Sequence, residues 1–312
     1  MNPTMRLCQN EEDYWRIREF LREVFLLNDR REHSWQAYRF DCWRWHGIEN
    51  LGQGRLEEDV FIWEVAGGQI AAVLNPEGRG EAYLQVHPHL RTRELEDEIL
   101  TVAEMHLAVP GPAGRRKLRV WAPEQDKLRQ HLLSQRGYAK VSGAAYQRRR
   151  PVTGKDAQSM PAAALPAGYT VRPLGDVEEH PARSWVSWRA FHPHEPAERY
   201  EGWDWYRNIQ RAPLYRRDLD IVAVAPGGEI ASFCTVWFDD VTRTGAFEPV
   251  GTAPAHQRRG LGKAVMGEGL RRLARMGATM AYVGSYEPAA HALYTSVGFI
   301  DYDLDEPWAK EL

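Results

Sequence analysis

The spacing of apolar residues in the C-terminal half of the chain switches between two periods, which predicts short strands mixed with helices. The predicted elements, in chain order, are a strand at 169–174, two helices, strands at 219–225, 229–238 and 245–252, a helix at 261–276, a strand at 279–283, a helix at 288–296 and a strand at 298–303. Gly277 supplies the stop of the longest helix. The order βααβββαβαβ predicts a mixed sheet with helices on both faces.

The chain also contains an internal repeat with a period of about 160 residues. Three pairs of segments match in the same order, namely 40–45 with 200–205, 66–71 with 226–231, and 133–138 with 294–299. Three matches in order are hard to obtain by chance. The sequence therefore predicts two domains of similar topology.

A segment rich in Pro, Ala and Gly separates the repeats at 151–167 and is typical of a linker. We therefore expect a first domain at 1–150 and a second at 168–312. A length of 312 residues is comfortable for two domains of ordinary size.

Charge and cysteine usage leave several classes of function without support. The 40 basic and 43 acidic side chains give a formal net charge of -3, so no global field favours nucleic acid or an anionic membrane surface. Cys8, Cys42 and Cys234 form no metal-ligand pattern, and no metal site is expected. No apolar run approaches the length of a membrane span, so we expect a cytoplasmic protein.

The segment with the clearest chemistry lies between the predicted strand at 245–252 and the next helix. It reads Gln257-Arg258-Arg259-Gly260-Leu261-Gly262 and is followed by Lys263. A helix N-terminus offers unpaired N–H groups and a partial positive charge, and glycines let a phosphate approach the backbone. The basic side chains add positive charge at the same place. On these residues alone, an anion site and an ordinary turn with solvated arginines are both open.

The strand before this loop contains Pro249 and Gly251, which disfavour a regular strand and favour a bulge or a splayed edge. A splayed strand exposes N–H and C=O groups with which the amides of an extended ligand, such as the pantetheine arm of coenzyme A, can pair. A phosphate loop directly after such a strand is hard to explain by packing alone.

With the loop and the strand together, the second repeat resembles the GNAT superfamily of acetyl-CoA-dependent N-acetyltransferases, in a tandem arrangement with a degenerate N-terminal domain. The family loop pattern, Gln/Arg-x-x-Gly-x-Gly/Ala, is matched at every fixed position by 257–262, and 292–299 resembles a second recurring segment. The resemblance implies an α/β (α+β) fold of two GNAT-like domains, each a mixed, mainly antiparallel sheet with helices on both faces and a splayed central strand pair. It also implies acetyl-CoA as cosubstrate and an acyltransferase activity.

The resemblance assigns roles to particular residues. The coenzyme-binding set is Val250, Gly251, Thr252, Gln257, Arg258, Arg259, Gly260, Leu261, Gly262 and Lys263. Glu248 lies where the thioester is expected, either as a general base acting directly or through water, or as an ordinary strand carboxylate. Tyr294 matches a position whose hydroxyl lies near the coenzyme sulfur, either as a general acid or as a core aromatic. N–H groups around Val250 and Gly251 are expected to polarise the thioester carbonyl.

The first repeat shares the topology but not the loop. Alignment of 86–88 with 252–254 puts Glu94 and Glu96 where the glycines stand, which brings bulk and negative charge to a pyrophosphate site. We therefore expect one coenzyme per chain, bound by the second repeat, and a structural role for the first.

The acceptor is specified less well, as a small-molecule amine or a peptide amine, with no nucleic acid and no membrane partner. Aromatic residues crowd the helices that the resemblance sets beside an acceptor cleft, namely Trp185, Trp188, Phe191, His192, His194, Trp203, Trp205 and Tyr206. Packing of a duplicated helix is the alternative, since Trp43 and Trp45 recur in the first repeat. A homodimer, transfer of a longer acyl or aminoacyl group, and a non-catalytic acyl-CoA-binding protein are left open.

Overall fold

The chain divides into two compact units in the computed structural model, which describes residues 3–111, 114–152 and 165–312. Unit 1 comprises Met1–Tyr146 and Asp303–Leu312, and unit 2 comprises Gln147–Tyr302. Most of the predicted linker at 151–167 lies outside the described residues. The division differs from the expected domain bounds at the C-terminus, because residues 303–312 belong to unit 1.

Unit 1 begins with a strand and a long helix and then builds an antiparallel meander. Its elements are β1 (Thr4–Leu7), α1 (Glu11–Leu27), α2 (Ala37–Cys42) with a π-helical continuation at Trp43–Ile48, α3 (Glu49–Leu51), α4 (Leu56–Asp59), β2 (Phe61–Glu64), β3 (Ile70–Asn75), β4 (Glu81–Val86), α5 (Arg93–His106), β5 (Val109–Pro110), β6 (Arg116–Pro123), α6 (Lys127–Gln135) and β7 (Ala139–Lys140).

Unit 2 confirms the predicted order of elements. Its elements are β8 (Ala145–Pro151), which enters from unit 1, then β9 (Thr170–Pro173), α7 (His180–Phe191), α8 (Asp204–Gln210), β10 (Asp220–Val224), β11 (Ile230–Asp239), β12 (Thr244–Thr252), α9 (Leu261–Arg275), β13 (Met280–Ser285) and α10 (Pro288–Ser296). The last strand of the second repeat, β14 (Asp301–Glu311), belongs to unit 1 from Asp303 onward. The final strand starts later than expected because Gly298 and Phe299 close α10 with N–H bonds to Thr295 O and Tyr294 O, both at 3.0 Å.

Each repeat contributes its last strand to the sheet of the other unit. β8, at the end of the first repeat, lies in the sheet of unit 2, and β14, at the end of the second repeat, lies in the sheet of unit 1. The strands of unit 1 stand in the order β1, β2, β3, β4, β6, β14, and those of unit 2 in the order β9, β10, β11, β12, β13, β8. The β14 register from Asp305 to Glu311 runs antiparallel to β6 from Pro123 to Lys117. In unit 2 the β12–β13 pair is parallel, whereas β9–β10, β10–β11 and β11–β12 are antiparallel. The mixed, mainly antiparallel sheet is confirmed.

Helices cover both faces of the sheet in unit 2. Ile221 of β10 packs in the core cluster that includes α9, whereas its neighbour Val222 packs with Val186 of α7. Helix α9 lies close to the sheet, because a Cβ on Gly269 would come within 2.6 Å of the Phe247 ring. This close packing sets the distance between the middle of α9 and the sheet.

Candidate active site

A bulge interrupts β12 where the sequence predicts an irregular strand. The register between β11 and β12 shifts between Cys234 and Val236, so that Glu248 and Pro249 together lie opposite Thr235. The indole N–H of Trp237 donates to the carbonyl oxygen of Glu248 and ties the bulge to β11. The predicted irregularity is confirmed.

β12 also separates from β13 just before the bulge. The parallel register joins Thr244–Ala246 to Met280–Tyr282 and ends there. The second half of β12 therefore leaves its neighbour, which is the splayed strand pair expected from the sequence.

The backbone of β12 directs some of its polar groups into this opening. Ala253 N–H donates to Ala231 O at 2.9 Å, and hydrogen-bonded and non-hydrogen-bonded pairs alternate along an antiparallel ladder. The N–H and C=O groups of Val250 and Thr252 therefore point away from β11, toward the opening, whereas those of Gly251 point toward β11. Of the two N–H groups expected to polarise a carbonyl, only that of Val250 faces the opening.

Gly251 is required by packing. A Cβ at this position would lie 2.4 Å from Phe233 Cζ and 3.1 Å from the Cβ of Ala190 in α7. The hydroxyl of Ser232 donates to Gly251 O at 2.8 Å and holds the strand from the other side. The glycine thus brings α7 directly against the strand that precedes the loop.

The loop after β12 ends at an uncapped helix N-terminus. Gly260 is the N-cap of α9 with φ 79°, and no side chain makes a capping hydrogen bond. Arg258 has φ 62°, a backbone conformation that residues other than glycine rarely adopt and that concentrates at ligand clamps. The first-turn N–H groups of α9 are consequently available to an anion.

The polar side chains of this loop fall into two groups. Gln257 donates from Nε2 to the Thr252 carbonyl oxygen of β12 at 3.3 Å, and Arg259 donates from Nη1 to the hydroxyl of Tyr169 at 3.2 Å. Arg258 and Lys263 are exposed and form no ion pair with any residue that the structure describes. Two side chains therefore hold the loop, and two cations beside the helix N-terminus remain to neutralise an anion.

Leu261 and Gly262 set the position of α9 relative to its neighbours. Leu261 is 1% exposed and anchors the first turn in the core. A Cβ on Gly262 would lie 3.1 Å from Leu293 Cδ2 and 3.7 Å from Thr252 Oγ1. The absence of a side chain keeps the space between α9, α10 and β12 open.

The two side chains predicted to be catalytic lie within electrostatic reach of each other. Tyr294 is 7% exposed, and its hydroxyl makes no hydrogen bond within the described part of the chain. Burial, and after it the charge of the Glu248 carboxylate, raises the pKa of Tyr294 well above the usual range of a phenol. Glu248 itself is exposed on the bulge. A phenol that stays protonated at neutral pH thus stands near a carboxylate that solvent reaches.

Comparison with known proteins identifies the family. The Acetyltransferase (GNAT) family matches residues 180–299, from the start of α7 to the turn after α10. A mycothiol acetyltransferase of Streptomyces coelicolor is 30% identical over 291 residues, which cover 85% of this chain and 86% of that protein. The chain belongs to the GNAT acetyltransferase family. It is an N-acetyltransferase, so the predicted enzyme class is confirmed and a non-catalytic role is set aside.

Solved structures share the fold over nearly the whole chain. A tandem GNAT protein from the clavulanic acid biosynthesis pathway has a TM-score of 0.68 at 16% identity and covers 99% of this chain and 98% of its own. A GCN5-related N-acetyltransferase from Sphaerobacter thermophilus has a TM-score of 0.66 at 18% identity, with 99% and 95% covered. At these identities the likeness shows the fold, and the predicted pair of GNAT-like domains is confirmed.

Unit 1 of this acetyltransferase has a shorter loop than the sequence alignment assumed. The connection from β4 to α5 is six residues, 87–92, whereas the connection from β12 to α9 is eight, 253–260. Thr92 is therefore the counterpart of Gly260, and the predicted match of Glu94 and Glu96 to the glycines is displaced by two residues. The two helix N-termini also differ in capping. Thr92 Oγ1 accepts from Leu95 N–H at 3.1 Å and caps α5, whereas no side chain caps α9.

Near the N-terminus of α5, arginine side chains also form ion pairs with carboxylates of unit 1. The carboxylate of Glu96 is fully buried and accepts from Arg129 at 2.9 Å and from Arg91 at 2.7 Å. Arg91 also binds Asp126 at 2.7 Å. Glu94 is exposed on the first turn of α5. Arg91, just before α5, is thus already paired with buried carboxylates, whereas Arg93 in the first turn donates to the amide oxygen of Gln135.

The aromatic residues of α7 and α8 separate into exposed and buried sets. Trp185 and Trp188 stack with ring centroids 5.5 Å apart, and Trp188 stacks on His192 at 5.4 Å. Trp185 is 38% and Phe191 53% exposed, whereas Tyr206 is buried at 2%. Packing explains Tyr206, whereas solvent reaches Phe191 and the stack of Trp185, Trp188 and His192.

Tyr169 and His256 support the loop, and the sequence did not single them out. The Tyr169 hydroxyl accepts from Arg259 Nη1 and also forms a hydrogen bond with Nδ1 of His256 at 2.8 Å, whose direction is set by the His256 tautomer. A lone tyrosine at the start of β9 carries no sequence signal for such a role.

The described part of the chain contains neither a cluster of metal-binding side chains nor a membrane-spanning helix. Across residues 3–111, 114–152 and 165–312, no three His, Cys, Asp or Glu side chains gather in a way that would hold a metal ion. Over the same residues, no helix combines the length and the apolar character needed to cross a bilayer.

Proposed function

We propose that unit 2 transfers an acetyl group from acetyl-CoA to an amine, by direct attack of the amine on the thioester in a ternary complex. The observation that carries the proposal is the order of features from 248 to 262. A bulged strand with unpaired backbone groups leads directly into an uncapped helix N-terminus with two glycines. The pantetheine amides fit the strand, and the pyrophosphate fits the helix.

Each part of this segment has a role in the proposal. The N–H groups from Gly260 to Lys263 bind the pyrophosphate, and the side chains of Arg258 and Lys263 neutralise its charge. The N–H and C=O groups of Val250 and the N–H of Thr252 pair with the pantetheine amides, since Thr252 O already accepts from Gln257 Nε2. Because the equivalent helix of unit 1 is capped by its own threonine, we propose that each chain binds one coenzyme.

The chemical step needs a neutral amine and a protonated leaving group. The amine enters as the neutral form. As its nitrogen attacks the thioester carbonyl carbon, Glu248 accepts, directly or through water, the proton that this nitrogen loses on becoming an amide. The Val250 N–H stabilises the negative charge that develops on the carbonyl oxygen. As the carbon–sulfur bond breaks, Tyr294 donates its proton to the sulfur. Glu248 then passes its proton to the Tyr294 phenolate, which restores both side chains. In net terms, one proton has moved from the amine to the coenzyme thiol.

The acceptor we propose first is an amine of the mycothiol type, because a mycothiol acetyltransferase matches most of the chain. Other small-molecule and peptide amines form the remaining panel. Competition of longer acyl-CoAs with acetyl-CoA tests whether the transferred group is larger than acetyl.

The test combines an amine panel with a variant of the proposed acid. Thiol release from acetyl-CoA is measured with each amine, and Tyr294→Phe is expected to lower kcat about 100-fold, the usual contribution of a general acid, while coenzyme affinity stays the same. Tyr286→Phe is the control, since Tyr286 is 58% exposed just before α10. Full turnover by Tyr294→Phe would remove the acid role.

A further inference from the structure

One guanidinium contacts both ends of α10, the helix that carries Tyr294. Arg148 of β8 donates from Nε to Ser285 Oγ at 3.0 Å and from Nη2 to Nδ1 of His291 at 2.7 Å. Its Nη1 donates to Phe299 O at 3.2 Å. Arg148 therefore joins the end of β13, the first turns of α10 and the turn that follows α10.

α10 depends on such contacts more than a longer helix would. It has nine residues, Pro288–Ser296, and Tyr294 is its one buried residue. Isolated helices of this length are marginal in water, so most of their stability comes from tertiary contacts. The position of the Tyr294 hydroxyl consequently depends on what holds the ends of the helix.

The geometry of these contacts suits arginine in particular. Arg148 is 8% exposed, and the planar guanidinium presents its donors in a fixed fork toward three separate acceptors. Because a guanidinium only donates, Nδ1 of His291 must be the acceptor, and the neutral ring then carries its proton on Nε2. A lysine has a single charged nitrogen and does not reproduce this fork.

A second arginine of β8 acts on the same turn. Arg150 Nη1 donates to Val297 O. Gly298 has φ 87°, and a Cβ there would lie 2.9 Å from Arg150 Nη1. The glycine of the Gly298-Phe299 pair therefore leaves room for this arginine as well as closing the helix.

We propose that Arg148 is a positioning residue, which holds α10 so that the Tyr294 hydroxyl points to the reacting sulfur. The inference rests on the proposed acid role of Tyr294. It also gives β8 a function. This strand ends the first repeat in sequence, yet its Arg148 supports Tyr294, the proposed acid in the second repeat.

The experiment uses the full chain labelled with [13Cζ]tyrosine, with the Tyr294 resonance assigned from Tyr294→Phe. Arg148→Gln and Arg148→Lys are compared with Arg149→Gln, which removes the same charge from the other face of β8. For each variant we measure the Tyr294 resonance without ligand, the Kd for coenzyme A by calorimetry, and kcat with the best amine of the panel.

Arg148→Gln is expected to shift or broaden the Tyr294 resonance and to lower kcat on the order of ten- to a hundred-fold, the loss that follows from misplacing a catalytic group. The Kd for coenzyme A should change by no more than about two-fold, because the phosphate loop lies outside this network. Arg148→Lys should restore part of kcat, and Arg149→Gln should behave as the wild type.

The proposal is overturned if Arg148→Gln leaves the resonance and kcat unchanged, or if Arg149→Gln reproduces its effects. Should Arg148→Gln fail to fold, Arg148→Lys decides, and an unshifted resonance with full kcat overturns the proposal. If the wild type binds no coenzyme A, the proposed function fails, yet the resonance without ligand still reports on Arg148.

Discussion

Replacing Gly260 by Glu adds a carboxylate at the uncapped N-terminus of α9, where we propose that the pyrophosphate binds. The backbone there has φ 79°, and a Cβ would meet no atom within 4 Å. The Cβ of the new side chain therefore meets no steric clash. It acts through backbone strain, which lowers stability, and through charge, which lowers the affinity for an anion.

The two effects have different magnitudes and different targets. A residue with a Cβ in the left-handed region costs about 1–2 kcal/mol of folding stability. Two unit charges about 5 Å apart repel by about 3 kcal/mol at an effective dielectric constant of about 20, and by about 1 kcal/mol in water. Because Gly260 is exposed, we expect a loss of about 1–3 kcal/mol, or roughly 5- to 150-fold in Kd.

Calorimetry of coenzyme A binding at low and high salt separates these effects. The Debye length falls from about 10 Å at 0.1 M to about 3 Å at 1 M, so the loss in Gly260→Glu should shrink at high salt. Gly260→Ala carries the strain without the charge. Gly137→Glu is the matched control in unit 1, since Gly137 is exposed, has φ 82° and would also meet no atom within 4 Å.

Two results would refute the loop assignment. One is a Gly260→Glu variant that binds coenzyme A as tightly as Gly260→Ala at low salt. The other is a Gly137→Glu variant that weakens binding by the same factor, which would show that net charge and not position decides affinity.

Three further predictions concern stability. Gly251→Ala forces the buried Phe233 ring to move and should lower the free energy of unfolding in urea by roughly 1–3 kcal/mol; an unchanged midpoint would contradict the packing argument. Arg183→Met leaves the buried Asp220 carboxylate without its cation and should lower unfolding free energy by roughly 3–5 kcal/mol. Removing both partners should cost less than the sum, and additive losses would argue against a coupled pair. Burial raises the pKa of Asp305 from 3.8 to about 7. The folded state then binds more protons than the unfolded state between about pH 4 and 7, so stability falls as pH rises through that window and levels off above it. Asp305→Asn should flatten this slope in thermal melts from pH 4 to 8, and an identical slope would refute the assignment.

The sequence predicted those parts of the site that depend on local backbone chemistry. Pro249 and Gly251 indicated an irregular strand because a strand interior disfavours both residue types. Gly260 and Gly262 indicated a helix start that admits an anion because they add no side chain there. These features are set within a few residues, so the pattern of one segment suffices to predict them.

Features that depend on distant pairing were not predictable in the same way. The Gly251 N–H points toward β11 because Gly251 occupies a hydrogen-bonded position of the β11–β12 ladder, where hydrogen-bonded and non-hydrogen-bonded pairs alternate. No residue type encodes which of the two positions a residue takes. The counterpart of Gly260 in unit 1 was displaced because two residues are missing from a loop, and loops accept deletions without a signal in the flanking elements. Arg148 reads as one of three consecutive arginines, and its partners lie more than 130 residues away.

The exchange of β8 and β14 also orders events in time during synthesis. Residues 147–302 are made before the part of β14 that pairs with β6, so unit 2 has β8 for its sheet while unit 1 still presents an unpaired β6 edge. At about 5–20 residues per second, translating those 156 residues takes roughly 8–30 s. An open sheet edge is a template for aggregation. The unit that leaves the ribosome first is therefore the one that is finished last, and its exposed edge is where a nascent chain of this acetyltransferase most needs a chaperone.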